Sequence, residues 1–220
     1  PLAGDEPCLA VDTVHCIGQA VLLVVAENEL AARTAVRKIK IDYDVLPAVI
    51  TIEDAMSQGL RLAPARSIER GNVEQELAKC THQINGTLRI GGQEHWYLET
   101  QSAYCVPGED NEMKVFASSQ NPSEVQSVVA ELLGIETHKV ECEVKRMGGG
   151  FGGKETQAAH IAAWAALMAK VTGRPVKLIF NRDEDQLFTG KRHPFLASYK
   201  AGFGNDGRLQ AYDVELHGNA

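Results

Sequence analysis

The stretch Lys145-Arg-Met-Gly-Gly-Gly-Phe-Gly-Gly-Lys-Glu155, "KRMGGGFGGKE", decides how this chain is read. Five of the six residues from 148 to 153 are glycine, and Phe151 is the exception. Two phosphate-binding patterns half-match it. Gly148 to Lys154 follows G-x-x-x-x-G-K, and Gly148, Gly150 and Gly153 follow G-x-G-x-x-G. The first pattern needs Ser or Thr after the lysine to hold Mg²⁺, and Glu155 stands there instead. A carboxylate facing polyphosphate in a dry pocket is repelled. The strand before a phosphate loop should also be fully buried, whereas "ECEVKRM" alternates charged and apolar residues. The second pattern needs an acidic residue roughly 20 positions on, and the nearest acidic run, "NRDED", lies further away at 181–185. A flexible linker fails on placement, because the glycines sit between a strand-like run and a long helical run. Glycine here removes side chains so that backbone N–H groups can touch a ligand. The helix that follows favours negative charge or polarised oxygen at its start. The residues point to an anionic cofactor, with a purely structural tight turn as the alternative.

Outward from the loop the chain alternates strand-like and helix-like runs. Upstream, "MKVFASSQ" reads as a strand and "NPSEVQSVVAELLG" as a helix. Asn121 is its cap, Pro122 its first residue, Glu124 the closing residue of a capping box and Gly134 its stop. "HKVECEVKRM" is a second strand, followed by the loop and the helix "KETQAAHIAAWAALMAKVTG", which ends at Gly173. "RPVKLIF" is a third strand. If these strands pair in parallel, "SSQ" and "GGGFGG" emerge at one end of the sheet, where open α/β sheets bind ligands. "HQINGTLRIGG" and "EHWYLETQSAYCV" are strand-like, and the tail from 195 is a hairpin turning at Asn205–Asp206–Gly207. In the N-terminal part, 16–26 reads as a buried strand and "NELAARTAVRKIK" as a helix. "KIKIDYDVLPAVI" reads as a half-exposed strand, and "TIEDAM" as a short helix capped by Thr51. "NVEQELAKC" offers one more helix with Asn72 and Gln75 as a capping box. The expected fold class is α+β: a small α/β unit over 1–60, a connector over 61–80, and a mixed α/β domain with strand-loop-helix repeats over 81–220.

Composition narrows the function. Apolar residues make up 44% and charged residues 23%, which is ordinary for a globular chain able to bury a core. The net charge of −7 leaves no basic stripe for nucleic acid. The longest apolar run in the N-terminal part, "AVLLVVA", is too short to cross a bilayer, and no signal peptide is read, so neither nucleic acid nor membrane is an expected partner. Five cysteines, with no C-x-x-C, read as reduced structural thiols of a cytoplasmic protein. The chain opens without Met and stops just after a strand-like run, so a piece of a longer polypeptide is expected.

Single residues carry bland alternatives. Glu155 alone reads as a carboxylate balancing a helix dipole. His160 and Trp164, at i and i+4, extend an apolar stripe that reads as core. His95 reads as a structural histidine, and the acids of "NRDED" as a solvated loop.

Taken in order, "GGQEHWYLET", "SSQNPSEVQ", "VKRMGGGFGGKET", "TGRPVKL", "RDED" and "TGKRHPFLASYKAGF" resemble the xanthine dehydrogenase family, the molybdenum hydroxylases. The resemblance covers nearly all of 84–220. Residues 1–56 are similar to the small hammerhead-like α/β domain that precedes the molybdenum-binding region in that family. The resemblance implies a molybdenum–molybdopterin cofactor approached by the loop, with Gly149 and Gly150 against it and Phe151 presenting its backbone amide to the metal's ligands. It implies that the Gln120 side chain contacts a ligand of molybdenum and that Glu155 orients a purine. The aldehyde-oxidising branch usually has an apolar residue at that position, so Glu155 favours a purine substrate. It further implies hydroxylation with water as the oxygen source, electrons leaving through iron–sulfur clusters to FAD on other domains or subunits, and an oligomeric enzyme. The family's catalytic-base glutamate and a substrate-binding arginine match nothing within 1–220, so only part of an active site is expected here.

Overall fold

The computed structural model describes residues 7–219. The chain forms two compact units that interleave in sequence: residues 7–42 with 94–191, and residues 43–93 with 192–219. The fold class is α+β, as the sequence led one to expect.

The first unit carries the glycine loop. Its sheet holds β2 (Ser102–Pro107), β3 (Met113–Ala117), β4 (Val140–Glu143) and β5 (Val176–Ile179) in the order β4-β3-β2-β5. β3 and β4 are parallel, with Val115 opposite Cys142, and β2 is antiparallel to both β3 and β5. So β3, β4 and β5 run the same way, and the segments that follow them leave at one end of the sheet. The third strand does not extend the parallel pair directly, because β2 lies between β3 and β5.

Helices α4 (Pro122–Leu133) and α5 (Gln157–Thr172) pack against this sheet and each other. α4 begins where its chemistry dictates: Asn121 accepts from the Glu124 amide, Pro122 opens the helix, and Gly134 closes it at φ 64°. α5 is buried nearly all round. Ala158, Ala159, Ala162, Ala163, Ala165, Ala166 and Ala169 are inside, with His160, Ile161 and Trp164. Small side chains on every face let this helix sit between other elements rather than on the surface. Val115, Cys105, Val125, Val129 and Val140 complete the core. Burial pushes the Cys105 thiol up to about 12 and Cys142 to about 11, and all five cysteines are free. Helices α1 (Glu29–Val36) and α6 (Arg182–Phe188) belong to the same unit, joined by the Arg33–Glu184 ion pair at 2.7 Å.

The second unit is an antiparallel sheet, β1 (His82–Ile90), β6 (Phe195–Phe203) and β7 (Leu209–Gly218), in the order β1-β6-β7. Its helices are α2 (Ile52–Ser57), capped by Thr51, and α3 (Val73–Lys79), capped by Asn72.

Several expected elements differ. Residues 16–18 form a turn with Gly18 at φ 94°, and 19–26 and 39–50 form no regular element and join no ladder among the described residues. Ala20 and Leu23 instead pack on the core of the first unit. Residues 94–101 form no strand, because Trp96 sits at φ 54°, which no strand accommodates. β4 stops at Glu143, four residues short of the expected end. The acids of "NRDED" lie in α6 rather than a solvated loop.

Candidate active site

The C-terminal ends of β3 and β4 bring Gln120 and the loop 148–155 together, as parallel pairing requires. Gln120 Oε1 accepts from the Gly152 amide at 2.9 Å and the Lys154 amide at 3.3 Å. Its backbone N–H donates to the Lys154 carbonyl at 2.8 Å. The side-chain carbonyl is therefore fixed by the loop. Nε2, the donor end, makes no hydrogen bond among the described residues, and the residue is exposed.

The bareness of the loop has two local causes. Three glycines sit where a Cβ would strike the protein itself. At Gly148 it would lie 2.7 Å from Glu99 Cβ, at Gly150 2.5 Å from Gln120 Oε1, and at Gly153 2.7 Å from both His95 and Tyr97. Gly149 and Gly152 have φ of 96° and 92°, which side-chain-bearing residues rarely adopt. Phe151 also has positive φ, 55°, and is 75% exposed. This backbone leaves three consecutive amides, those of Gly149, Gly150 and Phe151, donating to no group among the described residues. The flanking amides of Gly148, Gly152, Gly153 and Lys154 are all used.

Glu155 lies ahead of α5, not in its first turn. Thr156 holds the N-cap position without a side-chain bond, and the first turn has no acidic residue. The Glu155 side chain is exposed and makes no hydrogen bond or ion pair among the described residues.

Behind the loop lies a buried polar cluster that the sequence did not single out. Lys154 has no exposed side-chain surface. Its Nζ reaches Glu99 Oε2 at 3.1 Å and Ser118 Oγ at 2.8 Å, and stands 4.7 Å from the Tyr97 ring centroid. Burial lowers the Lys154 pKa, and the Glu99 carboxylate opposes that. For Glu99, partial burial works to raise the pKa. The Ser118 hydroxyl, the Gly148 amide and the Lys154 ammonium outweigh it and hold the carboxyl below its ordinary value. Asp185, 2% exposed, accepts from Tyr97 Oη and the Gln101 amide, both at 2.6 Å. Burial, then the bond to Asp185, drives the Tyr97 phenol well above its ordinary value. Gln101 Nε2 donates to the Gly153 carbonyl at 2.9 Å. Arg182 Nη2 donates to the carbonyls of Tyr97 and Leu98. His95, read as an isolated structural histidine, lines the glycine loop and is stacked with Tyr97.

A family model described as the molybdopterin cofactor-binding domain matches residues 57–220. The chain belongs to the molybdopterin cofactor-binding domain family. Residues 2–47 match a second model, the aldehyde oxidase and xanthine dehydrogenase a/b hammerhead domain. Xanthine dehydrogenase of Drosophila pseudoobscura pseudoobscura is 44% identical over 222 residues, which is 100% of this chain and 16% of that protein. Aldehyde oxidase 1 of Oryctolagus cuniculus is 48% identical over 216 residues, 97% of this chain and 16% of that protein. The chain thus spans about one sixth of the length of these relatives. Among solved structures, aldehyde oxidoreductase from Desulfovibrio gigas aligns with a TM-score of 0.85 at 27% identity, over 97% of this chain and 24% of that one. Quinoline 2-oxidoreductase from Pseudomonas putida 86 aligns with a TM-score of 0.84 at 26% identity, over 96% and 28%. The chain is a molybdopterin-binding region of the xanthine dehydrogenase and aldehyde oxidase family, and no helix of its described residues is long and apolar enough to cross a membrane.

The site suits such a cofactor. Three unused amides and the Gln120 Nε2 donor offer hydrogen bonds to oxygen or sulfur atoms. Among the described residues no group of three His, Cys, Asp or Glu side chains could hold a metal directly. The donor set fits the oxygen and sulfur atoms of an anionic organic cofactor.

Proposed function

We propose that this chain presents the molybdenum cofactor in an enzyme of the xanthine dehydrogenase type, which hydroxylates purines. The observation that carries the proposal is the pairing of Gln120 with the loop. Its carbonyl is fixed by two loop amides, which leaves its Nε2 donor and the neighbouring amides of Gly149, Gly150 and Phe151 without acceptors among the described residues. When bound, the cofactor supplies the redox chemistry of hydroxylation with water as oxygen source. Gln120 and the three amides would hold it and stabilise negative charge on its ligands, as fixed donors do without reorganising. Glu155 would accept hydrogen bonds from ring N–H groups of the substrate and so orient it. Electrons would leave to iron–sulfur and FAD groups carried elsewhere, in an oligomeric, cytoplasmic enzyme.

The relatives include xanthine dehydrogenases and aldehyde oxidases at nearly equal identity, so residue 155 carries the choice between them. Glu155→Val in the intact enzyme should leave ring donors unpaired. An unsatisfied buried polar group costs about 1–3 kcal/mol, so kcat/KM for xanthine should fall about 5- to 150-fold. Benzaldehyde needs no such partner and should be oxidised at a similar rate. The measurement is the xanthine-to-benzaldehyde ratio at equal molybdenum content. An unchanged ratio would favour the aldehyde oxidase reading.

A further inference from the structure

We propose that Glu99 and Lys154 are positioning residues that set the Gln120 amide for the cofactor, acting as one clasp. The proposal rests on the reading that Gln120 and the loop face that cofactor. One oxygen, Glu99 Oε2, collects three donors: Ser118 Oγ at 2.6 Å, the Gly148 amide at 2.7 Å and Lys154 Nζ at 3.1 Å. These come from three places that must be brought into register. Ser118 follows β3, two residues before Gln120; Gly148 opens the loop; Lys154 closes it. A second bond, from the Glu99 amide to the Gly148 carbonyl at 3.1 Å, pairs the two backbones at the loop entrance. Gly148 has no room for a side chain against Glu99, so the seat is shaped for this contact.

Lys154 completes the link. Its side chain bonds Ser118 and Glu99, while its backbone brackets Gln120: its N–H donates to Gln120 Oε1 and its carbonyl accepts from the Gln120 N–H. A lysine is an expensive filler for a fully buried position, because its ammonium must leave water. A fold needing only a packed side chain there would be served by Met or Leu. What the ammonium adds is direction: three acceptors, Glu99, Ser118 and the Thr100 carbonyl, fix where the Lys154 backbone stands, and with it the Gln120 amide.

The test is a double-mutant cycle in the intact enzyme, reading molybdenum content per polypeptide, its rate of loss on dialysis, and kcat and KM separately. The single variants are Gln120→Ala, Lys154→Met and the milder Glu99→Gln, which keeps an acceptor for the Gly148 amide. Groups that orient ligand-holding residues typically change affinity or activity by 10- to 100-fold. Glu99→Gln and Lys154→Met should therefore speed molybdenum loss, or lower kcat at equal loading, by about 10-fold or more. Combined with Gln120→Ala, either should add little, because the clasp acts through Gln120. Effects that multiply in the double variants, or wild-type retention and kcat in Glu99→Gln, would overturn the clasp even where Gln120→Ala is impaired. Gln120→Ala with normal molybdenum retention and turnover would instead overturn the reading on which it rests. If Lys154→Met does not fold, the Glu99→Gln cycle decides.

Discussion

Gly150→Ala is a one-methyl change whose consequence can be worked from distances. Gly150 does not have positive φ, so alanine meets no backbone objection. Its Cβ would lie 2.5 Å from Gln120 Oε1 and 2.7 Å from Gln120 Cδ, closer than non-bonded atoms tolerate. The Gln120 amide must withdraw, because Gly150 itself is buried in the loop. Withdrawal releases the Gly152 and Lys154 amides. Two hydrogen bonds at about 0.5–1.5 kcal/mol each give about 1–3 kcal/mol. Hydrogen exchange at those two amides should quicken about 5- to 150-fold, and molybdenum content should fall with it. A control isolates the cause: with Gln120→Ala already present, Gly150→Ala has nothing to strike and should add almost nothing. Gly152→Ala is a second contrast. Space is open there, the nearest atom being His95 Nε2 at 4.0 Å, so only the φ of 92° is penalised, by about 1–2 kcal/mol. Wild-type protection of both amides in Gly150→Ala would refute the packing argument.

Two other outcomes follow from the buried cluster. Asp185→Ala removes the acceptor for Tyr97 Oη and the Gln101 amide, costing about 1–3 kcal/mol for each group left buried and unpaired; the Gln101 amide should lose exchange protection, and retained protection would contradict the bond. The Glu99 carboxyl is held below its ordinary value of 4.5 in the folded protein, so the unfolded chain binds protons first as the pH falls, and stability declines with it. The advantage of Glu99 over Glu99→Gln is therefore complete above that value and should close as pH falls through the depressed one. It should be modest, since the side chain is 40% exposed. Thermal midpoints of the two proteins that diverge on acidification would reverse this account.

The sequence was most legible where the physics is local. Asn121, Pro122 and Gly134 mark both ends of α4 because caps and stops act over a few residues. Gln120 and the glycine loop could be brought together in advance because parallel strands send their following loops to one end. Alternating apolar residues at 39–50 showed a segment able to make a strand, but not whether a partner strand lies beside it, and none does among the described residues. Asp185 was hidden in an acidic run. Only the helix phase turns it inward while Asp183 stays exposed. One unused signal stood nearby: Asn181 and Glu184 have capping-box spacing, and both reciprocal bonds form. The Glu99–Lys154 pair spans 55 positions, and no spacing rule reaches that far. The glycines were read as making room for a ligand. At Gly148, Gly150 and Gly153 the room is also taken by Glu99, Gln120, His95 and Tyr97.

The central claim is that the Gly149–Phe151 amides and Gln120 Nε2 are the donors that hold the molybdenum cofactor, and an experimental structure of the intact enzyme with cofactor bound tests it most directly. The account predicts oxygen or sulfur atoms of the cofactor within about 3.5 Å of Gln120 Nε2 and of at least one of those three amides, with Gln120 Oε1 still bonded to Gly152 and Lys154. A cofactor bound at the other end of the β4-β3-β2-β5 sheet, or the three amides capped by protein carbonyls instead, would contradict it.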